Sequence, residues 1–508
     1  MADSRLVNTK RNIASGLLKQ ITTIVLPFII RTIVLYILGA QYQGLSGLFT
    51  SILQVLSLSE LGFSTAVSYV LYKPIADDDR DVVCAIVAFL KKAYTVVGII
   101  IGIGGVIIMP ILPKLIKGSV PGDINIYILF LIYLFNTVIS YSLFAYKSVL
   151  LTSMQREDIV SNIYTATSLA SKIIQIIVLL AFKNYYIFII FTPISTIANN
   201  ILLQVFAKRY FPHIVPKGKI NNDTKRELIE QIKAIFINKI GDTARNSFDN
   251  IILSTFMGLT VVAIYDNYYY IFTALYGVAL VIIHAMQASV GNSMAKESVH
   301  KNGADLNKFT FIFMWIIGWA TICLCCLYQP FMMIWMKGQD ELLLSNFDMV
   351  LFCVYFYAIN MNDTRNLYLS GAGLYPKCKL YFVMEAFGNL ALNIVLGKLF
   401  GVTGVIIATI ITIFVFNFVT RTNVLFKFYF KSSALKFYLA HSTYALVTAV
   451  ICFITYILCG LVPFNGVIGL MIKAFICALV PNLLYFLIYN RTKRFKEAYV
   501  FCLKIIKE

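Results

Sequence analysis

The sequence predicts an all-α, polytopic membrane protein with about fourteen transmembrane helices. Composition is the first reason. Of 508 residues, 59% are hydrophobic and only 13% are charged, whereas a soluble domain carries about 25% charged residues. Patterning is the second. The apolar residues fall into about fourteen runs, each near the ~20 residues that cross a hydrocarbon core of ~30 Å. A bilayer core offers no water to backbone N–H and C=O groups, so the spans are expected to be helices. Nothing is left over for a soluble domain of any size.

The expected spans are 13–38, 43–72, 82–111, 122–150, 158–182, 184–209, 226–257, 261–289, 305–336, 344–370, 376–399, 402–427, 434–460 and 464–490. The N-terminus, MADSRLVNTKRNIASGLLKQ, is basic and runs straight into the first span. It lacks the short apolar core and small-residue cleavage site of a secretory signal, so the first helix is expected to stay. A Gly-Ala-Gln-Tyr-Gln-Gly turn, Gly39 to Gly44, reverses the chain after Arg31. The next span carries Glu60 near its middle. Asp77, Asp78, Asp79 and Asp81 then read as a solvated helix start. The longest interruption is Arg209 to Arg226, where Pro212, Pro216 and Gly218 break any helix.

That interruption sets the domain organisation. A six-helix lobe is expected over 1–209, a basic linker over 210–225 and a second six-helix lobe over 226–430. Two further helices cover 431–490, and a basic amphipathic tail covers 491–508. The lobes echo each other: RTIVLYILGAQYQG (Arg31–Gly44) aligns with NIILSTFMGLTVVA (Asn250–Ala263), placing Gly39 on Gly258. At nearly the same offset, Tyr146-Lys147-Ser148 falls on Thr364-Arg365-Asn366. Both lobes start on one side, which makes the repeat parallel, about an axis along the membrane normal. The tail places Phe495, Tyr499, Leu503 and Ile506 at helical spacing among bases, as a helix lying on the inner membrane surface would. A disordered basic tail has the same composition.

The formal net charge of +19 raises nucleic acid as a partner, and its distribution argues against one. The bases sit at helix ends, where topology and anionic headgroups explain them. One set of loops, from Arg5 and Lys10 through Arg209 to the tail, holds about thirty bases. The other set holds about five: Lys114, Lys117, Lys183, Lys337 and Lys398. This bias places both termini in the cytoplasm. The ten cysteines are scattered and mostly apolar in context. They read as packing residues, with no disulfide framework, metal site or cofactor expected.

Function is expected in the ionisable residues inside the spans. A charge at mid-bilayer costs roughly 2.5–3.5 kcal/mol on insertion scales, so such residues face a cavity or a partner. They are Arg31, Glu60, Lys172, Lys239, Asp242, Arg245, Asp249, Asp266, Arg365 and Glu385. Lys239, Asp242, Arg245 and Asp249 fall on one broad helical face. That face is either an ion-pair ladder holding its helix in the bundle or a wet wall of a transport cavity. Arg31 has no evident partner on its own helix, and Glu60 is either its counter-ion or a titratable coupling site. Lys147 and Arg365 stand at matching inner positions of the two lobes, as capture sites for a diphosphate or as topological anchors. His284 is read as the one clear membrane histidine, a packing residue or a proton carrier. Tyr265, Tyr268, Tyr269 and Tyr270 flank Asp266 as an aromatic belt or a sugar-stacking surface.

The stretch LGAQYQGLSGLFTSILQVLSLSELGFSTAV, the basic first helix, the Lys73-Pro74 exit and the two-lobe count resemble oligosaccharide flippases of the Wzx-like polysaccharide transporter family. These belong to the multidrug/oligosaccharidyl-lipid/polysaccharide exporter superfamily. The resemblance implies two V-shaped lobes around a central cavity and alternating access. It implies transport of polyprenyl-diphosphate-linked oligosaccharide repeat units from the inner to the outer leaflet of the bacterial cytoplasmic membrane. The product would be O-antigen, capsule or another exopolysaccharide. Partners would be membrane lipids, the glycan carrier, and polysaccharide polymerase and glycosyltransferases. A cationic cavity suits the anionic carrier, and Arg31, Lys239, Arg245, Arg365 and Lys147 fit it here, with Lys172 a weaker candidate. Glu60, Asp242, Asp249 and Asp266 remain for cavity lining or for coupling to H+ or Na+. An ion-coupled drug or metabolite exporter of the same superfamily is the alternative. A membrane enzyme is disfavoured, because the outer loops are short and membrane histidines scarce.

Overall fold

The computed structural model describes the backbone of residues 5–60 and 63–507. It describes their side chains except those of 5–10, 13, 59, 60, 65, 223, 227, 231, 234, 235, 237–246, 288 and 504–507. No strand occurs among the described residues. The chain divides into two compact units, Met1–Ala263 and Ile264–Glu508.

The first unit holds α1 (Arg5–Ile37), α2 (Ala40–Leu56), α3 (Phe63–Ala76), α4 (Arg80–Ile108), α5 (Ile126–Ser142) and α6 (Tyr146–Ser153). It continues with α7 (Glu157–Phe182), α8 (Tyr185–Ile189), α9 (Phe191–Tyr210) and α10 (Asn222–Met257). The helix starts follow the sequence. Asp79, in the acidic run, caps α4 by accepting from the Val82 N–H at 3.1 Å. Asn125 and Asn184 cap α5 and α8 in the same way. The core between α2, α4 and α5 is apolar, with Leu48, Phe49, Ile101 and Phe130 fully buried. Helix α1 lies along α7, tied at one end by Asn12 Oδ1 accepting from the Asp158 N–H at 2.8 Å.

Helix α10 packs within this first unit, against α2 and α3, through polar contacts. Ser247 Oγ donates to Gln54 Oε1 at 3.1 Å, and Asn250 Nδ2 donates to Ser51 Oγ at 3.1 Å. The boundary between the units therefore falls inside α11 (Leu259–Lys296) and not in the basic segment 210–225.

The second unit is built on α12 (Val299–Trp335), which packs against α13 (Asn346–Asn360), α14 (Asp363–Gly371), α17 (Leu435–Gly460), α18 (Gly466–Tyr489) and α19 (Lys493–Lys507). Indole N–H groups of α12 find acceptors on α18: Trp315 Nε1 donates to Asn482 Oδ1 at 2.9 Å and Trp319 Nε1 to the Cys477 carbonyl at 2.8 Å. The tail is the helix α19. Phe495 and Phe501 pack on Trp315 and Phe309 of α12 at 5.9 and 5.4 Å between ring centroids.

Among the described residues, ten helices are long and apolar enough to cross a membrane, and eleven if the α5–α6 pair, bent by 43°, counts as one span. One of them is 56 residues long, Tyr375–Phe430. At 1.5 Å per residue that is roughly 80 Å, far beyond one crossing. It breaks at Gly401, whose φ is 61°, inside α15 (Tyr375–Thr412), and a second arm begins at Val402. That arm runs through the π-helical stretch 413–419, α16 (Thr420–Leu425) and a further π-helical stretch to Phe430. Two other expected spans fall short for local reasons. The Ala40–Ala76 segment changes to a 3-10 turn at Ser57–Glu60, and α10 carries too many charges. Each expected span thus has a helical counterpart. The outer surface carries large exposed apolar side chains such as Ile107, Leu446, Phe453 and Phe475, while Asn389, Asn393, Thr409 and Glu385 are fully buried. This inversion suits a hydrocarbon solvent.

The internal echo has a backbone form. Gly39, between α1 and α2, has φ 105° and ψ 171°. Gly258, between α10 and α11, has φ 98° and ψ 177°. Only glycine occupies this region without strain. Each unit also carries a broken helix with a base just after the break: Lys147 in α6 after α5, and Arg365 in α14 after α13.

Candidate functional site

The first unit contains a cavity of about 360 Å3 between α1, α2, α5, α7 and the α8–α9 pair. Among the described residues that line it, two are cationic, Arg31 from α1 and Lys172 from α7, and none is Asp or Glu. Neutral polar groups hold the site's shape. Gln43 donates from Nε2 to the Arg31 carbonyl at 2.5 Å, which ties the start of α2 to the end of α1. Lys172 Nζ donates to Gln175 Oε1 at 2.9 Å. Gln175 Nε2 in turn donates to the Phe188 carbonyl at 3.1 Å and to Thr192 Oγ1 at 3.0 Å. Gln175 is fully buried, so Lys172 hangs from a fixed strut rather than a mobile one. Tyr133 and Tyr185 meet hydroxyl to hydroxyl at 2.9 Å on the far wall, and the Arg31 charge reaches both. Ile30, Val34, Leu53 and Ile132 supply apolar wall between these groups. Two bases in one cavity attract an anion, because charge-assisted hydrogen bonds contribute about 1.5–3 kcal/mol each.

The other expected site residues divide into those described and those not. Glu60, Lys239, Asp242 and Arg245 lie outside the described side chains. Asp249 is buried on α10 beside the Asn250–Ser51 contact. Lys147 is buried in the core of the first unit, with Nζ 5.3 Å from the Tyr146 ring, and does not line the cavity. Asp266 is buried in the second unit. Its tyrosine neighbours split between roles. Tyr265 and Tyr268 are fully buried, with Tyr268 donating to Gln329 Oε1 at 2.8 Å and its ring 5.0 Å from Tyr328. They are core side chains and form no surface for stacking sugar.

Arg365, expected either to capture a diphosphate or to anchor the topology, is fully buried. Nη1 donates to the Asn417 carbonyl at 2.7 Å, and Nη2 donates to the side-chain oxygens of Asn362, Asn366 and Asn417 at 3.0, 2.9 and 2.7 Å. The guanidinium fastens α14 to the π-helical stretch 413–419. Beside it, Arg421 pairs with buried Glu385 and lies 3.7 Å over the Phe382 ring. His284 is exposed, and the buried histidine is His441 of α17, packed among Phe418, Phe437 and Tyr444. The cysteines also gather more than their scatter in the chain suggests. Cys326, Cys459 and Cys477, from α12, α17 and α18, bring their Sγ atoms within 4.8 Å of one another. They are the described group with the spacing to hold a soft metal, and they carry no His or carboxylate.

The fold and a cationic cavity among helices long and apolar enough to cross a membrane are those of a membrane transporter. Solved structures agree on the fold. The chain is similar to the lipid II flippase MurJ in an inward closed conformation, with 14% identity, a TM-score of 0.66, and coverage of 96% of this chain and 99% of that one. It is similar to an inward-facing multidrug resistance MATE family transporter of the MOP superfamily, at 14% identity and TM-score 0.56 over 82% of this chain and 98% of that one. It is also similar to a Pyrococcus furiosus MOP superfamily transporter described by the reverse polarity of its binding pocket. That match has 12% identity and TM-score 0.51 over 82% of this chain and 96% of that one. No curated protein matches the sequence. The family model for polysaccharide biosynthesis proteins matches residues 9–286. The chain belongs to this Wzx-like family of polysaccharide biosynthesis proteins, and it is a multi-pass membrane protein of the transporter and flippase class.

Proposed function

We propose that the protein flips polyprenyl-diphosphate-linked oligosaccharide repeat units from the inner to the outer leaflet of the bacterial cytoplasmic membrane, for O-antigen, capsule or exopolysaccharide synthesis. The observation that carries this is the cavity lined by Arg31 and Lys172 with no carboxylate among its lining residues. A diphosphate brings about two negative charges, and Arg and Lys bind it by charge-assisted hydrogen bonds. An organic cation would call for an acidic wall, and no Asp or Glu lines this cavity among the described residues, which favours the anionic carrier over the drug-exporter alternative. The family membership supports the glycan carrier as the cargo.

In this reading the diphosphate leaves the headgroup layer for the bases, while the polyprenyl tail stays in hydrocarbon. Access alternates between the two leaflets, both termini stay in the cytoplasm, and glycosyltransferases and a polymerase act before and after. Coupling to a proton or sodium gradient is proposed for Glu60 or Asp266 on their position in membrane helices alone. An ion dependence unaltered in Glu60→Gln and Asp266→Asn removes that part. The whole reading is tested in proteoliposomes by the outward movement of a fluorescent undecaprenyl-diphosphate-linked glycan. Movement above the protein-free rate supports it, and movement of organic cations instead would replace it with the exporter reading.

A further inference from the structure

A second cavity, of about 390 Å3, adjoins the first, and Lys172 and Thr192 line both. Its walls come from α5, α7 and α9 of the same unit. Nine of its eleven lining side chains are hydroxyls or amides; the other two are Tyr164 and Lys172. The first cavity is mixed, with aliphatic wall between its bases. The second draws almost all its lining residues from Ser, Thr and Asn, in the middle of helices that are otherwise apolar.

Packing accounts for most of these groups, with Ser171, Thr196 and Asn200 donating to protein acceptors, but not for all. Helices in lipid approach through small residues, and their hydroxyls satisfy themselves on the backbone. Some here do so: Thr167 Oγ1 donates to the Ile163 carbonyl at 2.8 Å, and Ser195 Oγ donates to the Thr167 carbonyl at 3.2 Å. Asn199 does not close its set. Its Nδ2 donates to Asn200 Oδ1 at 3.2 Å, but its own Oδ1 is buried with no hydrogen-bond partner among the described residues. A buried acceptor left over in this way is uncommon in a folded protein and points to a missing donor.

We infer that this cavity is a glycan subsite: it receives the uncharged sugar attached directly to the diphosphate, while Arg31 and Lys172 hold the diphosphate next door. The inference rests on the flippase reading and adds where the sugar goes. A pyranose presents a ring of hydroxyls that both donate and accept, which hydroxyl and amide walls match. Asn199 Oδ1 accepts from one of them, and the Tyr164 ring offers an apolar face to the sugar's C–H side. Lys172 stands at the junction, where the sugar meets its phosphate. The absence of a carboxylate among the lining residues keeps the phosphate end from being repelled.

The test compares two probes on the purified full-length protein. One is undecaprenyl diphosphate, and the other is the lipid-linked glycan pool extracted from cells depleted of this protein. Wild type is expected to bind the glycosylated pool about tenfold more tightly than the bare carrier, the size of one or two well-made hydrogen bonds. The Ser168→Ala, Asn199→Leu double variant should lose that preference while binding the bare carrier within about twofold of wild type. Ser168→Thr, which keeps the hydroxyl, should keep the preference. Retained preference in the double variant overturns the subsite. Equal loss for both probes also overturns it, by showing that these residues only hold the fold. If wild type binds neither probe, the flippase reading itself fails, a result separate from the other two.

Discussion

Arg31 and Lys172, on α1 and α7, line one cavity although five helices, α2 to α6, separate them in the chain. Lys172 is held there by Gln175, which is fully buried and fixed in turn to the Phe188 carbonyl and Thr192. Lys172 is therefore set before any substrate arrives, and an anion that binds it does not first have to order it.

Arg31→Gln and Lys172→Gln should each lower affinity for undecaprenyl diphosphate by tenfold or more, from loss of about 1.5–3 kcal/mol of charge-assisted bonding. Transport should fall with it, while thermal stability changes little. Unchanged binding in both variants, measured by titration of the purified protein, would show the bases to be structural. Gln175→Leu should weaken binding by a smaller factor, because it frees Lys172 without removing it.

Arg365 should behave in the opposite way. Arg365→Ala leaves three asparagine oxygens and a carbonyl without their donor in a dry interior. A loss of about 3–5 kcal/mol in stability is expected, as for other broken buried charge networks. Thermal unfolding in detergent checks this. A variant with wild-type stability and no transport would return Arg365 to the substrate path.

Arg421 and Glu385 form a buried pair, so their variants should not add. Arg421→Gln and Glu385→Gln alone each leave one charge without its counter-ion. The double variant is expected to be more stable than the sum of the two single losses, by about 1–3 kcal/mol. Additivity would mean that the pair contributes no coupling.

Gly39 and Gly258 share one backbone conformation at the turn that ends α1 and the turn that ends α10. Gly39→Ala and Gly258→Ala should each cost about 1–3 kcal/mol. A wild-type melting temperature in either would show that its turn relaxes.

The helices were legible because burial in lipid leaves little choice: every apolar run of span length became helix. The Gly39–Gly258 echo was legible as well, since a glycine at matching offsets reports a backbone need. The site was legible only in part. Arg31 and Lys172 stood out as charges in apolar runs, but so did Arg365, and a sequence does not say whether a guanidinium meets substrate or three asparagines from its own fold. Asn362, Asn366 and Asn417 were the available signal, one of them more than fifty residues away. Arg421 sits in the apolar stretch FNFVTRTNVLF within the expected span 402–427, and the sequence does not show that it pairs with Glu385. Cys323 and Cys326 have C-x-x-C spacing, the one local hint that thiols would gather around α12. The neutral polar groups of the two cavities left no mark, because Ser, Thr and Asn are common on membrane helices for reasons of packing.

The central claim is that this chain carries a diphosphate-linked glycan across the membrane through the Arg31–Lys172 cavity. The most direct test is the sidedness of that lipid in cells whose only copy is the Arg31→Gln, Lys172→Gln double variant, inserted at wild-type levels. The expected result is accumulation of the undecaprenyl-diphosphate-linked glycan facing the cytoplasm, inaccessible to probes added outside. Normal outward exposure of that lipid in these cells would contradict the account.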